Sequence, residues 1–164
     1  MPLKKTIDFS YEVFENISQL SSEEAELLRK AEEILLKAYA PYSRFRVGAA
    51  IRLTDGSVVT GNNQENIAYP SGLCAERVAL FHLMSQRPDA IIESIAIAAN
   101  PLDFELSHII SPCGSCRQAL LEYELRMERP IQVILGSSKG EIIKVPSVRS
   151  LLPLSFEEAK LKKS

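Results

Sequence analysis

Three cysteines and one glutamate carry the most specific chemistry in this sequence. Cys74 stands in Cys74-Ala75-Glu76-Arg77, and the other two in Pro112-Cys113-Gly114-Ser115-Cys116. Each lies where a helix is expected to begin. Free N–H groups and positive potential at a helix N-terminus lower a thiol's pKa and favour thiolate, the form that zinc binds. A Cys-x-x-Cys pair alone reads equally well as a redox couple or as half of a structural zinc site. Cys74 adds a third thiolate, and the chain has only three cysteines. Three protein ligands with a fourth position left to water is the arrangement of catalytic zinc, whereas a structural site is normally closed by four.

Two neighbours suit such a centre. Three thiolates overcompensate the two charges of the ion, which blunts its effect on a bound water. Arg77, three residues after Cys74 on the same helix face, can offset this by hydrogen bonding a sulfur; as an ordinary helix residue it would make a surface ion pair. Glu76 can be a first-turn glutamate favoured by the helix dipole. It can also be a carboxylate beside the metal that takes a proton from water and returns it to a ring nitrogen and a leaving amine, as water attacks an aromatic ring carbon. A non-catalytic zinc module that binds a partner or RNA is the competing class. Glu76 and the missing fourth ligand count against it.

The elements that must position these residues follow from patterning. Ser21-Ser22-Glu23-Glu24 reads as a capping box, and Leu28, Ala31, Leu35 and Ala38 line one face of the helix it opens. That helix is expected to end near Tyr39, ahead of Pro41. Val47 to Leu53 and Ser57 to Thr60 read as strands joined at Asp55-Gly56, followed by an irregular loop from Gly61 to Ser71. Helices are expected at about Leu73 to Ser85 and Gly114 to Met127. Strands are expected at Ser94 to Ala99, Ile131 to Leu135 and Glu141 to Val145, the last two antiparallel because their turn is short. The expectation is an α/β, three-layer α/β/α fold with a mixed five-stranded sheet. One domain spans 1–164, with 1–20 a peripheral N-terminal extension and 153–164 a C-terminal segment.

Composition narrows the functional class. The 164 residues are 46% hydrophobic, enough for one real core, and 19 Lys and Arg against 21 Asp and Glu leave a formal net charge of −2. A protein living on polynucleotide backbones carries a basic excess, so no nucleic-acid partner is expected. No apolar run reaches the roughly 18–20 residues of a membrane helix, and no apolar stretch follows Lys4-Lys5, so a cytoplasmic enzyme with no membrane partner is expected. An odd cysteine count in a reducing compartment argues against a disulfide framework.

Cys74-Ala-Glu-Arg77 together with Pro112-Cys-Gly-Ser-Cys-Arg-Gln118 resembles the homotetrameric zinc-dependent cytidine deaminases. Pro41-Tyr-Ser-Arg-Phe-Arg-Val-Gly-Ala-Ala50 resembles that family's first-strand motif, Gly61 to Tyr69 its substrate loop, and Leu151 to Phe156 its C-terminal segment. The resemblance covers roughly Ala38 to Phe156. It implies one Zn2+ per subunit on Cys74, Cys113 and Cys116, with Glu76 as proton shuttle and Arg77 compensating charge. It further implies that Asn63 and Glu65 bond the ribose, Phe45 packs on the pyrimidine, and the backbone near Ala75 holds the base's polar edge. Phe156 is implied to reach a neighbouring subunit's pocket in a homotetramer. The implied reaction is hydrolytic deamination of cytidine and deoxycytidine in pyrimidine salvage.

This chain departs from the family pattern in places. Ile67 stands where Ala is usual, Ala68 where Ser or Cys is usual, and Arg46 where Pro is usual; Asn100 to Ile110 is longer. A bulkier Ile67 is expected to reshape the pocket, which motivates an alternative substrate, an aminopyrimidine nucleoside antibiotic of the blasticidin type. His82 and His108, the only histidines, fall outside the ligand motifs and read as structural or solvent-facing. Lys160 to Lys163 reads as a solvated tail.

Overall fold

The computed structural model describes residues 2–158 and 161. In chain order the main elements are β1 (Glu12–Phe14), α1 (Ser22–Leu35), β2 (Phe45–Leu53), β3 (Val58–Asn62), α2 (Ala75–Gln86), β4 (Ile92–Pro101), α3 (Gly114–Arg126), β5 (Gln132–Gly136) and β6 (Ile142–Val145). Apart from Leu161, the expected lysine-rich tail lies outside the described residues.

The strands form one sheet in the order β1-β6-β5-β4-β2-β3. Only β4 and β5 pair in parallel, with α3 as the crossover between them; the other pairs are antiparallel. Strand alternation builds two cores. Ile51, Ile95, Ile97, Val133 and Leu135 pack with Ala79, Leu83 and Leu120 of α2 and α3. The intervening Ala50, Ala96, Ala98 and Ile134 pack with Leu27, Leu28 and Ala31 of α1. The three-layer α/β/α arrangement therefore holds.

The sheet has six strands, not the expected five. The added strand, β1, falls in the stretch expected to be peripheral and pairs with β6 through Glu12↔Lys144 and Phe14↔Ile142. Three residues are too few for a readable period. Tertiary contacts hold them: Lys144 Nζ lies 3.0 Å from Glu12 Oε2, 3.4 Å from Glu24 Oε1 and 4.9 Å above the Phe14 ring.

Helix α1 starts as expected. Glu24 N–H donates to Ser21 Oγ at 3.2 Å and Ser21 N–H to Glu24 Oε2 at 3.0 Å, a closed capping box. It ends at Leu35 rather than near Tyr39. Tyr39 is taken by the loop after β3 instead: its N–H donates to Asn63 O at 3.1 Å and its carbonyl accepts Glu65 N–H at 2.8 Å. A residue bridged to another segment on both backbone groups cannot continue a helix.

Two features fix how α2 and α3 are seated. At Gly61 on β3, a Cβ would sit 2.5 Å from Ala79 N and 2.9 Å from Ala75 O, so the first turns of α2 rest directly on this strand. Gly61→Ala is expected to cost about 1–3 kcal/mol, the usual overpacking penalty, read as a fall in denaturant midpoint; a variant as stable as the parent would show the contact to be slack.

At the other end of α3, Glu124 is 6% exposed. Its Oε2 accepts Ile131 N–H at 2.8 Å and Val148 N–H at 2.9 Å; its Oε1 accepts Ser147 Oγ–H at 2.6 Å and Arg149 N–H at 3.1 Å. One carboxylate thus ties α3 to the approach to β5 and to the 3₁₀ turn Val148–Leu151. Glu124→Gln replaces one acceptor oxygen with an NH2 group facing donors. It should cost about 2–6 kcal/mol, at 1–3 for each of the two buried donors left unsatisfied, and thermal unfolding of the variant measures it.

Candidate active site

The N-cap of α2 is Cys74 and the N-cap of α3 is Cys113, with Cys116 three residues further on and fully buried. The three sulfurs come from two helices whose N-termini meet beside a cavity also lined by Ile97 of β4. Cys74 Sγ lies 3.9 Å from Cys113 Sγ, and Cys113 Sγ 3.5 Å from Cys116 Sγ. All three fall within 4.8 Å of one another. A tetrahedral zinc at about 2.3 Å from each sulfur sets them about 3.8 Å apart, so this donor set fits the ion.

Among themselves the sulfurs share negative charge unevenly. The Cys74 thiol is held down to about 5, chiefly by the Cys116 thiol that bonds it, against burial that raises it, with Arg77 and Cys113 assisting. Cys116 is pushed up by that same contact with Cys74, by burial and by the nearby Glu76 charge. Arg77 Nη2 lies 3.8 Å from Cys74 Sγ. Its Nε is buried without a hydrogen-bond partner.

Glu76, in the first turn of α2, is 4% exposed. Burial raises its carboxyl pKa, and the Cys74 charge adds to that, against the opposing pull of its own backbone N–H, Cys116 and Arg77. Glu76 lines a cavity of about 580 Å³ together with Cys74 and Cys113. A buried carboxyl with a raised pKa beside a thiolate cluster is suited to accept and release a proton.

The family model described as the cytidine and deoxycytidylate deaminase zinc-binding region matches residues 21–129. The chain belongs to this deaminase family. It is 40% identical over 131 residues to the cytidine deaminase of Halalkalibacterium halodurans, covering 79% of this chain and 91% of that relative. It is 35% identical over 135 residues to the cytidine deaminase of Sporosarcina psychrophila, covering 82% and 92%. The crystal structure of cytidine deaminase from Burkholderia pseudomallei superposes with a TM-score of 0.70 at 36% identity, over 80% of this chain and 97% of that one.

In this member of the deaminase family, the cavity wall opposite the cysteines comes from β2 and the loop after β3. Phe45, Asn63 and Glu65 all line it. Their polar groups are already partly engaged. Asn63 Nδ2 donates to Phe45 O at 2.8 Å, and its Oδ1 accepts Val47 N–H at 2.8 Å, so this amide continues the pairing of β3 with β2. Glu65 Oε2 accepts Tyr42 N–H at 2.8 Å and Ser43 N–H at 3.2 Å, and Ser43 Oγ donates to Oε1. A carboxylate has about four lone-pair sites and an amide two donors and two lone pairs. One site on Glu65 and one donor and one lone pair on Asn63 therefore remain for a ligand. Bonds from Ser43 and Tyr42 more than offset burial and hold the Glu65 carboxyl below its usual range.

Ala75 is fully buried at the first position of α2. Phe156 is 73% exposed, away from the cavity wall. Its backbone is gripped by Gln118, whose Nε2 donates to Phe156 O at 3.0 Å and whose Oε1 accepts Phe156 N–H at 3.4 Å. Arg117 staples the same region, donating from Nε to Pro112 O at 2.7 Å and from Nη1 to Leu151 O at 2.9 Å. Both motif residues thus hold the C-terminal segment to α3.

Ile67 corrects an expectation. It is 80% exposed and is not part of the cavity lining, so its bulk does not narrow the pocket. The loop turns it outward because Asn66 Oδ1 accepts Ala68 N–H at 2.8 Å, closing a tight turn. His82 and His108 are exposed and outside the sulfur cluster. Sequence reasoning missed Tyr42, Ser43, Tyr69 and Leu73 on the cavity wall. Tyr42 and Ser43 lie in the first-strand motif, but their pairing with Glu65 spans more than twenty residues and leaves no local periodicity.

Proposed function

We propose that this chain hydrolyses cytidine and deoxycytidine to uridine and deoxyuridine with release of ammonia. The observation that carries the reading is the convergence of three cysteine sulfurs within 4.8 Å, two of them, Cys74 and Cys113, on the wall of a cavity also lined by buried Glu76. Cys74, Cys113 and Cys116 hold one zinc per subunit. Bound there, zinc supplies Lewis acidity that makes water nucleophilic near neutral pH.

The chain's own residues do the rest. Glu76 takes a proton from the attacking water and delivers it to the ring nitrogen beside the amino carbon. It then carries the second proton to the leaving amine, so water is consumed and ammonia released with no net change in the carboxyl. Arg77 neutralises part of the thiolate charge. Phe45 packs on the pyrimidine, the backbone at Ala75 meets the base's polar edge, and the free sites of Asn63 and Glu65 accept the sugar hydroxyls.

The chain acts as one deaminase domain in a homotetramer. Exposed apolar side chains on the segments framing the cavity, among them Tyr39, Tyr42, Ile67 and Tyr69, suit a face covered by another copy. Phe156, exposed on its anchored segment, is the residue placed to enter a neighbour's pocket. Among the described residues no helix is long and apolar enough to cross a membrane. Free thiols serving as ligands suit the reducing cytoplasm and a place in pyrimidine salvage.

The test is the loss of cytidine absorbance with purified protein, ammonia measured in parallel, and a panel that includes deoxycytidine and a blasticidin-type nucleoside. Turnover of cytidine with stoichiometric ammonia is expected. Ammonia from none of the panel would overturn the reading, and strong preference for the antibiotic would move it to the other substrate. Light scattering should give the mass of a tetramer; a monomer at assay concentration would remove that part.

A further inference from the structure

We propose that Phe104 is the positioning residue that sets the Phe45 ring for substrate, with Arg44 and Asp103 as the latch that holds it there. This rests on the reading above that Phe45 packs against the pyrimidine.

The β2–β4 ladder ends at Phe45↔Pro101. Contact between the two segments does not end with it. Arg44 O accepts Leu102 N–H at 3.0 Å, and Arg44 Nε meets Asp103 Oδ1 at 2.9 Å. The Phe104 ring then lies against Phe45, centroids 6.2 Å apart and planes at 34°. Arg44 has a φ of 54°, a left-handed conformation uncommon for a residue with a side chain. That conformation lets its carbonyl and its guanidinium engage successive residues of the same opposing segment. Strain of this kind persists where surrounding structure over-determines it, and such positions gather at functional sites.

The consequence concerns Phe45 alone. Phe45 lines the cavity, whereas Phe104 does not. Phe104 is 58% exposed and belongs to neither core cluster. Its one aromatic partner is the ring the substrate is to meet. A ring already held by a neighbour loses less rotamer freedom when ligand binds, which appears as affinity rather than as rate. Asn100 to Ile110 carries Leu102, Asp103 and Phe104, so the longer segment noted in the sequence is the part that provides the support.

The experiment is a double-mutant cycle on cytidine turnover with Phe45→Ala, Phe104→Ala and both. Phe104→Ala should raise KM about 3–10-fold, the range that an aromatic pair contact carries, and leave kcat within about twofold, the pattern of lost uniform binding. Phe104→Tyr should restore KM. In the Phe45→Ala background, removing Phe104 should change nothing further. Asp103→Asn should raise KM less, by about threefold at most, as an exposed ion pair allows. If Phe45→Ala raises KM but Phe104→Ala does not, or if the two effects multiply, the positioning role falls and the Phe45 reading stands. If Phe45→Ala leaves KM unchanged, the Phe45 reading falls and the proposal with it. A Phe104→Ala loss confined to kcat also overturns the proposal.

Discussion

Glu76→Gln will lose cytidine turnover by on the order of 10²–10⁴-fold in kcat, the contribution of a positioned general acid–base group, while keeping its zinc and its fold. The carboxyl is 4% exposed in the first turn of α2, and glutamine has the same shape, so packing is preserved. What glutamine lacks is a carboxylate that can accept a proton and return it. The loss should therefore fall on kcat, with KM for cytidine changed little because the ribose and ring contacts proposed above come from other elements. Metal analysis of the same sample separates this outcome from loss of the ion. Turnover within tenfold of the parent would show that the proton moves elsewhere.

The second large effect is at the sulfurs. Cys116→Ala should abolish turnover and lower zinc affinity beyond the roughly 10–100-fold that removal of an outer-shell partner costs. Cys116 is fully buried at the start of α3, and its sulfur sits 3.5 Å from that of Cys113. No other sulfur or imidazole is near enough to take its place among the described residues. Competition with a chromogenic chelator reads the affinity directly. Arg77→Ala removes a charge that acts on Cys74 Sγ, 3.8 Å away, and on Cys116, but no sulfur, so it belongs in the 10–100-fold class. A Cys116→Ala protein that retains stoichiometric zinc would mean that the ion is held elsewhere.

Zinc affinity should also fall as pH falls, since thiols bind metal only after losing their protons. As the pH falls, Cys116, pushed up by its contact with Cys74 and by burial, takes up its proton before Cys74, which is held down to about 5.

Much of this molecule was legible in one dimension because its causes are local. The capping box at Ser21 and Glu24, the apolar runs of β2, β4 and β5, and the cysteines at two helix N-termini each follow from neighbouring residues. The spacing of Cys74, Glu76 and Arg77 places the proposed metal ligand, proton carrier and charge partner within one helical turn, which backbone geometry enforces once the helix forms. Tertiary structure alone decided the rest. Tyr39 leaves its helix because Asn63 and Glu65 claim its backbone, β1 exists because Lys144 gathers Glu12, Glu24 and Phe14, and Glu65 is shaped by Ser43. Ile67 faces outward and Phe104 meets Phe45 for the same reason. Each is settled by a contact between distant segments, whose free energy appears only after loop closure has brought them together.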